Sequence, residues 1–567
     1  MTRVVRIANA GGYWGDDPDA LRLQVEGGPI DYLAEITMVI LEKLKAKDSS
    51  KGYATDFVRA ASEILPQLLE KKIRLVTNAG GVHPEACAEA LLRQADLLGL
   101  SPRIAVVRGA AIDAARWSPA HLDSGAPFDA LPGRLESAYA YLGARPIAEA
   151  LARGADIVIT GRVADASLTL GPLVHEFGWG WDDWNLLACG TIAGHILECG
   201  AQATGGNLTD WSLVPNLADV GYPIAEVSAD GAVVITKHPG TGGAVTRESV
   251  VEQLLYEIGD PRAYATPDVT VDLTRISVTE SGPDRVRFEG ARGIAPPATL
   301  KAGLSYHAGW KSAGTFAFGP PSALAKAQAM EEIFWTRLGR EFDEVSSETQ
   351  GWTEPEGRGE VFLRVAVRDR IQKRVEAFSR RFASFALSGP AGVSIPGGKP
   401  AVQEVFGFWP GAVPRDAVSP VVWIGGERVE VSPLAPGSRE LPSVESRVRV
   451  SEGARASGEP VARVPLFTLA YARSGDKGDT ANIGVAARSE DAFRLLASAL
   501  TEEFVRNVFA NECRGPVLRF EIPGLRAFNF VLRQALGGGG MISLRSDPQG
   551  KLFAQRLLAA EIEIPEG

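Results

Sequence analysis

The stretch Gly194-His195-Ile-Leu-Glu198-Cys199-Gly-Ala-Gln202 carries an imidazole, a carboxylate, a thiol and an amide at helical spacing. On one α-helix these side chains share a face, where a buried helix would ordinarily present aliphatic groups. Two readings are open: His195 and Glu198 as an acid/base pair with Gln202 orienting them, or a polar face meeting solvent with Cys199 as a small core residue. A second group is Gly161-Arg162-Val-Ala-Asp165-Ala-Ser167. Its guanidinium suits a carboxylate or phosphate, and Asp165 is either a general base or the N-cap of a helix starting near Ala166. A third is Thr77-Asn78-Ala-Gly80-Gly81, a turn whose backbone N–H groups can hold an anion or a developing oxyanion. Further Gly-bearing loops include Thr204, Gly206 and Asn207, and Thr241 within Gly240-Thr-Gly-Gly243. Late in the chain, Asp476 and Lys477 sit in the charged segment Ser474-Gly-Asp-Lys-Gly-Asp479. A base, an acid, oxyanion donors and an anion clamp are what proton transfer beside a carbonyl requires.

Other chemistries lack their residues. There is no GxxxxGK[ST], no GxGxxG, no GxSxG, no HExxH and no CxxC. The six His are scattered, so no metal site is expected. No cofactor is firmly implied, and the sequence does not settle the role of a divalent cation.

These residues need elements to position them. In the first third, short β-branched runs (4–8, 73–76, 104–107, 155–160) alternate with stretches of helical spacing (31–44, 55–69, 84–98, 146–152). That alternation predicts an α/β fold with a mostly parallel sheet flanked by helices. Such sheets bind ligands at the carboxyl ends of their strands, and each run here ends in a Gly or polar cluster. Residues 1–230 form this domain, and 231–432 read as a β-rich α+β region packed on it. The stretch 433–463, rich in Pro, Ser, Gly and charge, reads as a linker. Residues 464–567 read as a small α+β domain of ferredoxin-like type, with strands at 466–471, 483–486, 517–522 and 541–544. Helices are expected there at 492–509, 527–536 and 552–559, and a loop at 474–480. The aromatic group Phe177, Trp179, Trp181 and Trp184 walls a terpenoid or acyl pocket, or belongs to the core or a subunit interface.

Across 567 residues, 45% are hydrophobic and the net charge is −10. A chain so composed buries a large core, and its acidity argues against nucleic-acid or anionic-membrane partners. Four scattered Cys fit a reducing cytoplasm better than a disulfide framework. No apolar run is long enough to cross a bilayer. A homo-oligomer is expected for a chain of this size.

The segments Asn78–Pro84, Thr160–Ser167, Glu198–Gly206 and Lys237–Gly243 resemble the acyclic terpene utilisation (AtuA) family. Arg473–Asp479 resembles the start of the small ferredoxin-like domain that follows in many members. The resemblance implies a catabolic role beside enzymes that process branched acyl-CoA thioesters. The reading is therefore an enzyme, of lyase or hydratase class, acting on a branched acyl-CoA or terpenoid acid. Asp165, His195 and Glu198 are its candidate catalysts. Asn78, Gly80, Gly81, Arg162, Gln202, Thr204, Gly206, Asn207, Thr241, Asp476 and Lys477 are its candidate binding residues. Two competitors are a non-catalytic subunit for an acyl-CoA carboxylase-type partner and an ester or amide hydrolase.

Overall fold

The computed structural model describes residues 3–36, 41, 45, 48–351, 359–435 and 461–565. At its centre, Val4–Asn9, Tyr32–Glu35, Arg74–Thr77, Ile157–Thr160 and Ile104–Arg108 lie side by side, all parallel. Tyr32–Glu35 and Ile157–Thr160 are buried along their whole length, as strands covered on both faces must be. Helices supply the cover, among them Thr55–Glu70 and Pro84–Leu97 on one side and Arg145–Ala152 and the almost wholly buried Ser167–Phe177 on the other.

The sheet is mixed rather than mostly parallel. Pro223–Ser228, Val233–Lys237, Arg285–Glu289 and Ser277–Gly282 extend one edge, and Val421–Ile424 and Glu427–Glu430 the other, all antiparallel, making eleven strands. Three of these pairs, Pro223–Ser228 with Val233–Lys237, Ser277–Gly282 with Arg285–Glu289 and Val421–Ile424 with Glu427–Glu430, are joined by tight turns, such as Gly425-Gly426 at positive φ, too short for the crossover that parallel pairing demands. The sheet thus continues past residue 230, with no break where the β-rich region was expected to begin. The stretch 31–44, expected as a helix, contains instead the strand Tyr32–Glu35, hydrogen-bonded on both sides. Its short apolar run fits either period, and pairing to two neighbours decides. Most of the rest of that stretch lies outside the described residues.

A second sheet is built on the twenty-residue strand Thr299–Phe318. One half pairs with Gln403–Pro414 and with Leu135–Ala140 from the first third of the chain. The other half pairs with Val361–Asp369 and carries a separate core of Phe316, Phe334, Phe378 and Phe382 under two helices. This strand carries Lys301.

The small domain has a four-stranded antiparallel sheet in the order Ala470–Lys477, Thr480–Ala487, Ala527–Leu532, Val517–Ile522, with helices over one face. Residues 474–480 are a tight hairpin, not a loop: Lys477 pairs with Thr480 across Gly478, which has φ +68°. Residues 527–532, expected as a helix, form a strand, because each pairs on both sides. The expected strand at 541–544 is a turn region, and the expected helix 492–509 is two helices, Glu490–Ala499 and Glu502–Val508. Of the expected linker, 436–460 lies outside the described residues.

Candidate functional site

The parallel strands end at one level, and their next residues form its floor. After Arg74–Thr77 the chain turns sharply. Gly81 N–H donates to Asn78 O, His83 N–H to Gly80 O, Ala79 N–H to Thr77 Oγ1 and Val82 N–H to Gly52 O. The backbone donors expected to hold an oxyanion are therefore largely spent inside the turn. Gly80 and Gly81 answer to packing: a Cβ on Gly80 would lie 2.5 Å from Thr160 O, and Gly81 has φ +54°. The side chain of Asn78 reaches the site instead, its Nδ2 donating to Asp165 Oδ1 at 2.8 Å.

Asp165 stands before the helix Ser167–Phe177. The N-cap position is Ala166, and no side chain caps this helix, so Asp165 does not serve as its cap. Its position is fixed from behind by the buried Asp268. That carboxylate accepts from Ala144 N–H at 2.9 Å and from Ser167 Oγ at 3.1 Å, tying the turn after Tyr141 to the start of the Ser167 helix. Asp268→Ala strands both donors in the interior. It is expected to cost about 2–4 kcal/mol in thermal unfolding, with Asp268→Asn recovering a good part.

Glu198 and His195 come from the end of the buried helix Trp184–Leu197, which stops before the face expected to reach Gln202 is complete. His195 Nδ1 lies 2.9 Å from Glu198 Oε1. His195 is 1% exposed, and its buried Nε2 has no hydrogen-bond partner among the described residues. The imidazole thus stands behind Glu198 as its orienting group, with Tyr264 5.5 Å from its ring. Cys199 is partly exposed, and burial and the Glu198 charge push its thiol up.

The remaining wall comes from the small domain. Lys477 Nζ donates to Glu257 Oε2 at 2.7 Å. Glu257 has φ +58°, a left-handed conformation that costs energy for a side chain of this kind. It is held by donation of its N–H to Asn482 Oδ1 of the small domain. Lys551 Nζ adds contacts to Tyr256 and, at 3.3 Å, to Asp476.

The electrostatics follow from enclosure. Lys477 keeps 46% of its side-chain surface accessible, so it faces a recess that solvent reaches. Asp165, Glu257 and Tyr264 are likewise deeply set and only partly covered. Burial raises Asp165, and Glu198 raises it further; Arg162 and Lys477 oppose them, and the group settles at about 7. Burial also penalises the Glu257 carboxylate, but Lys477 and Lys551 outweigh it and hold that group at about 2. Burial acts to lower the Lys477 ammonium; Glu257, Tyr264 and Glu198 prevail and raise it well above its ordinary range. Tyr264 is raised by burial and by Glu198, so it stays a phenol. The hollow therefore pairs a carboxyl group poised near neutrality with a permanent cation and a phenolic donor.

A cavity of about 270 Å³ opens beside this group where the strand order reverses, between Gly81–Glu85, Arg108–Ala111, Tyr139 and Gly161-Arg162. Arg162 lines it while also acting on Asp165, which links the two spaces. Its guanidinium lies 5.5 Å from the Tyr141 ring.

Several expected binding residues lie elsewhere in purpose. Gln202 Oε1 and the carbonyls of Gly206 and Asn207 all accept from the guanidinium of Arg473, which also pairs with Glu252 at 2.9 Å. They dock the small domain. Thr204 donates to the carbonyls of Ala201 and Gly221 deep in the core. Thr241 donates to His238 O and receives Lys237, closing its own turn. Asp476 belongs to the Lys551 contact at the edge of the hollow. Asp479 accepts from Leu536 and Gly538 N–H and so braces the Gly-rich loop. Trp179 is core, stacked on Phe177 at 5.4 Å.

Glu257, Tyr264, Lys301 and Tyr141 were not singled out from the sequence. Each stands alone in its segment without a motif.

Among the described residues, no group of three or more His, Cys, Asp or Glu is placed to share a metal ion. No helix among them is long and apolar enough to cross a membrane.

The architecture defines an α/β protein whose strand-end cleft is closed by a separate small domain. The chain belongs to the acyclic terpene utilisation family: the model of family protein AtuA matches residues 5–424, and that of the AtuA ferredoxin-like domain matches residues 464–563. No curated protein and no solved structure gave a match.

Proposed function

We propose that this chain is a catabolic enzyme that moves a proton on the carbon next to a carbonyl, in a branched acyl-CoA or related terpenoid acid. Hydration, dehydration, isomerisation and retro-aldol cleavage are the reactions of that class its residues suit. The observation that carries the reading is one cluster of mutually interacting groups, Asp165, Glu198, Tyr264, Glu257 and Lys477, drawn from separate segments of the chain. Asp165 takes the proton, being near neutrality and held by Asn78. The Tyr264 hydroxyl and the Lys477 ammonium donate to the oxygen on which charge develops; loss of one such donor costs about 10²–10³ in turnover. Glu198, aligned by His195, returns the proton at the far side or activates water. Arg162 orients the anionic portion of the substrate.

The test is deuterium exchange. Branched acyl-CoAs and free terpenoid acids are incubated with the protein in D₂O and followed by mass spectrometry. Wild type is expected to introduce deuterium beside the carbonyl, and Asp165→Asn and Glu198→Gln, still folded, to fail. Wild-type exchange in both variants would remove these roles. No exchange by the wild type on any substrate, with co-purification of a carboxylase-type partner, would favour the non-catalytic subunit instead.

A further inference from the structure

We infer that the cavity lined by Arg162 and Arg108 is a carboxylate subsite, which holds a free carboxylate that the substrate carries in addition to the carbonyl where the proton moves. The inference rests on the proposed function and names the substrate class of that same site.

The cavity, of about 270 Å³, has apolar walls that include Val82, Val107 and Leu142, and a cationic side made of Lys45, Arg108 and Arg162. Among the described residues that line it, Glu85 is the one carboxylate, and it is already ion-paired with Arg108. Positive charge is therefore in surplus here, in a chain whose net charge is −10. Arg108 keeps half of its side chain exposed, and a guanidinium has donors for more than one oxyanion. Lys45 Nζ is anchored to Val82 O at 3.1 Å. The Arg162 guanidinium lies 5.5 Å from the centroid of the Tyr141 ring, with Lys301 Nζ 5.4 Å from the same centroid. The ring steadies both cations without consuming a hydrogen-bond donor. The helix Pro84–Leu97 starts in the same wall with no side-chain cap, and its positive end adds to the field.

The place of the cavity along the chain ties it to the proposed base. Arg162 is three residues before Asp165, Gly81 is three after Asn78, and Asn78 Nδ2 donates to Asp165 Oδ1 at 2.8 Å. Three residues span at most about 10 Å, so a group held in the cavity and the carbon facing Asp165 can belong to one small molecule. The dimensions select the class. The fork of a guanidinium matches the two oxygens of a carboxylate. The volume is below the roughly 300–1,000 Å³ of sites for drug-sized ligands, so the cavity takes an acid group on a short chain and not the nucleotide of CoA. The phosphates of CoA also stand at the far end of the pantetheine arm from the thioester. The apolar walls accept the hydrocarbon between the carboxylate and the reacting carbon.

The test is isothermal titration of the full-length chain, at low ionic strength, with succinate, monomethyl succinate and dimethyl succinate. The wild type is expected to bind the two carboxylates at least tenfold more tightly than the diester. Arg162→Met is expected to abolish that preference and Arg108→Gln to reduce it. Ala111, exposed at the cavity wall, offers a variant that leaves every charge in place. Ala111→Trp fills the space and is expected to weaken both carboxylates at least tenfold. Should Arg162→Met not fold, the wild type and Ala111→Trp decide. Equal binding of monoester and diester, or no binding of either carboxylate by the wild type, overturns the inference. So does displacement of monomethyl succinate by inorganic phosphate or by CoA at equal or lower concentration, which would make the cavity a phosphate site. Asp165→Asn is expected to keep the preference. Loss of deuterium exchange in that variant, with no preference in the wild type, would leave the proposed function standing and this inference refuted. A preference in the wild type with undiminished exchange in Asp165→Asn would do the reverse.

Discussion

Asp165→Asn is expected to lower kcat/KM by about 10³ while making the folded protein more stable at pH 8 than the wild type. The first effect follows from removing the base, a contribution typically of 10²–10⁴. The second follows from linkage. Burial and Glu198 place the folded-state group at about 7, against 3.8 for the ordinary carboxyl. The folded protein therefore binds a proton that the unfolded chain has released. The stability from the neutral form is whole below pH 4 and is lost as pH rises through 7. Asparagine keeps the acceptor for Asn78 and carries no charge, so it escapes that loss. A difference on the order of 2–4 kcal/mol at pH 8, vanishing near pH 4, is expected once screening of a partly accessible group is allowed for. Thermal unfolding of the two proteins across pH 4–8 measures it without any substrate. In the wild type, kcat/KM should fall on the acid side with a midpoint near 7. Glu198→Gln should move the midpoint of any residual activity downward, because the Glu198 charge helps to raise Asp165. A pH-independent difference in stability would show that Asp165 is not ionising in this range.

Arg473→Met is expected to release the small domain. Arg473 and Glu252 are 2% and 1% exposed, and the guanidinium also serves Gln202 and two backbone carbonyls. Removing it leaves Glu252 in the interior with Thr209 N–H as its remaining donor in this contact, at 3.1 Å. Breaking a buried pair in this way typically costs 3–5 kcal/mol. The interface is close elsewhere too: a Cβ on Gly484 would lie 2.3 Å from the Leu255 side chain, and Asn529 donates to Ile258 O at 2.8 Å. The loss should therefore appear as a separate, earlier unfolding transition and as new protease cleavage between the domains. Because Lys477 rides on the same strand as Arg473, kcat/KM should fall with it. Arg473→Met combined with Glu252→Gln should recover part of the stability, since no unpaired charge is left. A single unchanged transition in Arg473→Met would show that docking does not depend on this pair.

What can be read from a linear chain depends on how local its cause is. Arg162 and Asp165 were legible because strand ends in parallel sheets face ligands, and the residues after Ile157–Thr160 are polar where the strand is not. His195 and Glu198 were legible through their offset of three, and they do meet. The same reasoning attached Gln202, Gly206 and Asn207 to a ligand, when their partner is a side chain 266–271 residues away. A polar residue with a docking partner and one with a substrate look alike until the partner is placed.

The sequence by itself determined the alternation of strand and helix, the strand ends that carry Asn78 and Asp165, and the separate small domain, because each depends on periodicity or composition within a few tens of residues. Only the tertiary structure decided which strands joined the large sheet, that 527–532 is a strand, and that Lys477, Glu257 and Tyr264 gather around Asp165. Pairing energy and electrostatic fields act through space between residues whose separation along the chain carries no pattern, and no local spacing encodes them.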